Sequence, residues 1–186
     1  RGGGFCYSEE EYQTMLLDAR ILLDHGADGI AFGFLHTDHT LDVARTEEMI
    51  ALVHEKGKEA VFHRAFDCVT QQEHAVEILI SLGADRILTS GGAPDAWTGR
   101  QQLQWLQSQY GKEITFLSGS GVNAENVKDL MEYTNVEQVH TSCRKWNVDG
   151  TTSHQNVDFS YDAEKKDAYE MVDPQKVEKM VKALTL

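Results

Sequence analysis

A chain of 186 residues, 41% hydrophobic and 25% charged, can bury one substantial core and is short for two, so one domain spanning 1–186 is expected. A net charge of −13 repels polyanions and anionic lipid, and no apolar run approaches the ~20 residues that span a bilayer, which argues against nucleic-acid or membrane partners. Three scattered cysteines, Cys6, Cys68 and Cys143, form no CxxC pair and argue against a disulfide framework, which points to a reducing, cytoplasmic compartment.

Along the chain, Ser8 and Glu11 have capping-box spacing ahead of Tyr12, Met15, Leu16, Ala19 and Leu23, which predicts a helix over about 9–25 stopped by Gly26. A β-prone run from Gly29 to Phe34 follows, then a helix from about Val43 to Lys56. Ala60 to Arg64 reads as a strand. Thr70 and Glu73 suggest a second capping box before a helix ended by Gly83, and Asp85 to Ser90 is a strand. A helix around Trp97 to Tyr110, a strand from Glu113 to Ser118, a helix opened by Asn123 and a strand from Glu137 to Ser142 continue the alternation. Residues 143–168 show no period and are expected either as a long active-site loop, with Tyr169 to Val172 as a short last strand, or as irregular surface. Asp173 then caps a helix with Pro174 in its first position.

Short strands separated by helices of this length need parallel crossovers. Gly26-Ala27-Asp28 and Gly83-Ala84-Asp85 precede alternate strands, and Gly57-Lys58-Glu59 and Gly111-Lys112-Glu113 precede those between. This two-unit echo favours an α/β fold of the TIM-type (β/α) barrel over a doubly wound sheet. The opening at Arg1, directly in a glycine run with no element to anchor it, suggests that an N-terminal piece is missing.

In such a barrel, reactive groups sit on the loops after the strands. His63, Arg64 and Asp67 bring a proton-transfer group, a fixed cation and a carboxylate into one short stretch. The turn of Gly119, Ser120 and Gly121 could close its backbone N–H groups around a phosphate or carboxylate, and Ser90 with its glycines forms a weaker version. The three cysteines each follow a strand end, and thiolates suit Cu(I). His36 and His39 could grip a metal, although a solvated loop explains them as well.

The runs Arg1-Gly2-Gly3-Gly4-Phe5-Cys6-Tyr7, Phe62-His63-Arg64-Ala65-Phe66-Asp67, Arg86-Ile87-Leu88-Thr89-Ser90-Gly91 and Val139-His140-Thr141-Ser142 together resemble the CutC copper homeostasis family. The resemblance implies a cytoplasmic TIM-type barrel that self-associates and is tied to copper tolerance. Members usually begin with a strand, a helix and a strand leading into the segment seen here at Arg1, and more often carry aspartate at the position of Gly4. Cysteines proposed as Cu(I) ligands in similar proteins fall largely in that preceding part. The soft-ligand candidates here are Cys6, Cys68 and Cys143, with His63 or His140.

Two functions follow from these residues. One is copper handling with Cu(I) bound and no turnover. The other is an enzyme acting on a small phosphorylated or carboxylated metabolite, with His63 as acid or base, Arg64 as anion clamp and Asp67 as orienting group. Arg1, Ser90, Gly119, Ser120, Gly121 and Ser142 would then form the anion-binding set.

Overall fold

The computed structural model describes residues 3–160 and 162–185. The chain separates into two compact units, Arg1–Val122 with Asp129–His140, and Asn123–Lys128 with Thr141–Leu186.

In the first unit the Ser8 hydroxyl accepts the Glu11 N–H while the Glu11 carboxylate accepts the Ser8 N–H, so the predicted capping box opens α1 (Glu9–Asp24). Strand β1 (Gly29–Phe32), α2 (Val43–Glu55), β2 (Glu59–Phe62), α3 (Gln72–Ser81), β3 (Arg86–Thr89), α4 (Arg100–Tyr110), β4 (Thr115–Ser118), α5 (Val127–Thr134), whose first two residues are assigned to the second unit, and β5 (Gln138–Val139) follow. The five strands form one parallel sheet in the order β1-β2-β3-β4-β5. This is the sequential α/β winding of the barrel class, with every strand's C-terminal end at the same edge.

Alternation along the strands builds the core. Phe32, Phe62, Ile87 and Phe116 are buried and join Leu16, Met49, Val53, Leu79 and Leu106 of the helices in one cluster. Burying each such phenylalanine stabilises the fold by about 1.5–3 kcal/mol. Val61, Leu88 and Leu117, on the opposite face, are half-buried.

Three local expectations are corrected. No capping box forms at Thr70: the chain stays extended through Gln71, the Thr70 N–H goes to the His39 carbonyl, and α3 starts with no side-chain cap. Strand β2 ends before Arg64, because His63 caps a 3-10 turn over Arg64–Cys68. The helix expected from Asn123 begins at Val127, after a turn in which the Asn123 side chain accepts from the N–H groups of Glu125 and Asn126.

In the second unit the stretch expected as a loop holds strands β6 (Arg144–Val148), β7 (Ser153–His154) and β8 (Val157–Asp158). Strand β9 (Ala168–Val172) pairs antiparallel with β6, so the expected last strand is not part of the parallel sheet. The Asp173 carboxylate accepts the Gln175 N–H at the start of α6 (Pro174–Thr185). Among the described residues no helix is long and apolar enough to cross a membrane.

Candidate functional site

The ends of β2 and β3 are joined by Asp67. Its carboxylate accepts from Arg64 Nε at 2.7 Å, Thr89 Oγ1 at 2.5 Å, the Ser90 N–H at 3.0 Å and the Gly92 N–H at 3.1 Å. Ser90 Oγ lies 3.0 Å from Asp67 Oδ2 and 2.5 Å from the Ala93 carbonyl, with one proton to give. A carboxylate has about four acceptor sites, and here they are taken. With its side chain 7% exposed, Asp67 is a clamp on the β3–α4 loop. The loop can wrap it only because Gly91 and Gly92 adopt φ of 74° and 70°, and a Cβ on Gly91 would stand 2.4 Å from the Gly99 carbonyl oxygen.

Arg64 is held from two sides, by Asp67 through Nε and by Ser90 Oγ through Nη2 at 2.9 Å. Nη1 makes no hydrogen bond among the described residues, and the side chain is 39% exposed. The guanidinium is therefore oriented with an edge left over.

His63 Nδ1 accepts the Ala65 N–H at 3.1 Å, so the neutral ring carries its proton on Nε2 and presents a donor there. Burial, in part against Phe5 with ring centroids 5.1 Å apart, pushes its pKa below the ordinary imidazole value. Gly33 makes room for it, since a Cβ there would fall 2.5 Å from His63 Nδ1.

The Gly119–Gly121 turn follows β4. The Gly119 N–H continues the ladder to the Thr89 carbonyl, and a Cβ on Gly119 would meet Leu88 Cδ1 at 2.6 Å. Ser120 sits at φ 77°, its hydroxyl donating to the Pro94 carbonyl, and Gly121 sits at φ 69°. His140 ends β5, its N–H on the Ser118 carbonyl. Thus His63, Arg64, Asp67, Ser90, Gly119, Ser120, Gly121 and His140 all lie at the C-terminal edge of the sheet. Ser142 and Cys143 belong to the second unit, and Arg1 lies outside the described residues.

Cys6 and Cys68, far apart in sequence and both exposed, line one cavity of about 280 Å³ with His36 and His39. His39 Nδ1 lies 3.1 Å from the Cys68 carbonyl oxygen; a carbonyl only accepts, so this nitrogen carries the proton and Nε2 offers its lone pair. Among the described residues no three His, Cys, Asp or Glu side chains form a group that could hold a metal ion. Thr89, Gly33 and Phe5 were not anticipated as site residues. Only the glycine in the run Gly29 to Phe34 offered a signal, as a place where another group comes close.

Comparison with known proteins agrees with this architecture. The CutC family model matches residues 1–145. A CutC family protein of Treponema denticola is 41% identical over 145 residues, 78% of this chain, and one of Glaesserella parasuis is 36% identical across the whole chain and 75% of its own length. The chain spans 58% of the Treponema relative's length. The crystal structure of the putative copper homeostasis protein CutC from Streptococcus agalactiae superposes with a TM-score of 0.70 at 28% identity, over 75% of this chain and 68% of that one. 3-Hexulose-6-phosphate synthase from Salmonella typhimurium, at TM-score 0.54 and 19% identity over 91% of this chain and 67% of that one, shares the fold. With the motif-bearing strands matched in order, the chain belongs to the CutC family.

Proposed function

We propose that this chain handles copper in the cytoplasm by binding Cu(I) as cargo at Cys6 and Cys68. The observation that carries this reading is the shared cavity: two thiols from distant parts of the sequence, with His36 and His39 beside them. Thiolates are soft ligands that select Cu(I) over harder ions, and Cu(I) is content with as few as two of them. The exposure of both thiols suits an ion that must be taken up and passed on. His39 lines the same cavity, with its Nδ1 engaged by the Cys68 carbonyl. The Streptococcus relative's description as a putative copper homeostasis protein supports the same reading. Self-association of the chain, implied by the family resemblance, belongs to this proposal and is checked by native mass spectrometry.

The test is anaerobic Cu(I) competition against a chromogenic chelator. Cys6→Ser and Cys68→Ser should each lower the affinity by at least about tenfold, the loss of one charge-assisted ligand, while Cys143→Ser leaves it unchanged. Retention of full affinity by the double variant Cys6→Ser/Cys68→Ser would overturn the reading.

A further inference from the structure

The cavity that holds Cys6 and Cys68 is not lined by Arg64, Ser90 or Ser120, and at these three residues, past the ends of β2, β3 and β4, a fixed cation has been left partly unpaired. We propose that this edge binds a small oxyanion, a phosphate monoester or a carboxylate, on the outer edge of the Arg64 guanidinium, with Asp67 and Ser90 as its support.

An arginine whose job is only to neutralise Asp67 would present its fork to both carboxylate oxygens. Here a single N–H, that of Nε, goes to Asp67 and one more goes to Ser90 Oγ. Of five guanidinium N–H groups, three remain to be satisfied by solvent or a ligand. The carboxylate that orients the cation cannot compete for its free edge, being shared among Thr89 Oγ1 and the N–H groups of Ser90 and Gly92. Orientation is thus settled before a ligand arrives, and little side-chain entropy remains to be lost on binding.

Further donors stand at the same edge. His63, one residue before Arg64, offers Nε2–H without a partner among the described residues. The Ser120 N–H is likewise without one. Ser120 is held at φ 77°, a conformation that non-glycine residues rarely adopt and that persists only when its surroundings impose it. The loop after β3 ties these groups together: Ser90 takes the Arg64 guanidinium at one end, and the Pro94 carbonyl takes the Ser120 hydroxyl at the other. Asp67 is a positioning residue in this arrangement. Its place is to keep Arg64 and the loop in register.

Inorganic phosphate and malonate serve as probes, titrated into the purified chain by calorimetry and followed by thermal unfolding. At least one should bind and raise the melting temperature; preference for phosphate identifies a phosphate ester as the ligand class, and preference for malonate a carboxylate. Arg64→Gln should weaken binding by at least about tenfold, the worth of one charge-assisted contact. Arg64→Lys, which keeps the charge and loses the fork, should fall between. Circular dichroism establishes that each variant folds, and should Arg64→Gln not fold, Arg64→Lys decides alone. Cys6→Ser should bind the probe as the unaltered chain does, which separates this site from the copper cavity. Absence of binding by either probe, or equal binding by the unaltered chain and the folded Arg64 variants, would overturn the proposal.

Discussion

The two units of the chain are stabilised in different ways. In the first, apolar side chains from strands and helices fill one cluster in which Phe32, Phe62, Phe66 and Phe116 are nearly inaccessible. In the second, the buried apolar residues among those described are Val127, Ala168 and Met180, while Val148 and Phe159 are each 80% exposed. Its order comes from polar contacts instead. Asp167 accepts from Thr152 and Ser153, Asp149 accepts from Thr151, and Arg144 pairs with Glu170 across β6 and β9. Polar contacts in water contribute about 1 kcal/mol each, so a unit built on them has less to lose from any one side chain. The candidate binding groups of the first unit stand on a core that can hold them rigidly.

The largest expected difference is between two phenylalanines. Phe62→Ala removes a ring that is 0% exposed and should destabilise the chain by about 3–5 kcal/mol, combining lost transfer energy with an unfilled cavity. Phe159→Ala should change stability by no more than about 0.5 kcal/mol. Urea unfolding of both variants measures this; equal effects would abolish the contrast between the units.

A smaller effect tests the loop clamp. Asp67→Asn keeps the shape and replaces one acceptor oxygen by an N–H donor that faces groups which are themselves donors. It should cost about 1–3 kcal/mol, the penalty of leaving buried donors unmet. Because the loss is local, amide hydrogen exchange should rise first at Ser90 and Gly92. Unchanged exchange there would show that the loop is held by other means.

What could be read in the sequence follows the same division. Where a segment has to bury one face, its period exposes it: α1 through Tyr12, Leu16, Ala19 and Leu23, and its start through a Ser8–Glu11 box that does form. The identical spacing at Thr70 and Glu73 misleads, because the Thr70 N–H is claimed by His39, from a part of the chain that local reading does not see. That Arg64 and His63 follow a strand end was legible, but the contacts of Asp67 were not, since Thr89, Ser90 and Gly92 come from the next strand and loop. The placing of Cys6 and Cys68 along one cavity is likewise a product of tertiary folding. Residues 143–168 were illegible for a simpler reason. Their short ladders bury almost nothing, so no hydrophobic period was required of them.

The smallest effect concerns the protonation of His63, and its sign follows from burial. Folded, the ring resists a proton and its pKa lies below the ordinary value near 6.5; unfolded, it returns to that value. Well above pH 6.5 both states hold it neutral and its own contribution to stability does not change with pH. As the pH falls through 6.5 toward the folded pKa, the unfolded chain takes up the proton first. The unfolded state then binds more protons, and stability declines through that window until the folded ring is protonated as well. Unfolding free energies at pH 7.5 and 5.5 for the unaltered chain and for His63→Gln isolate this contribution, because the carboxylates and other histidines titrate in both. The unaltered chain should lose more stability on acidification than the variant. Parallel losses would mean that water reaches the His63 ring freely, and its assignment as a neutral Nε2–H donor at the sheet edge would fall with that result.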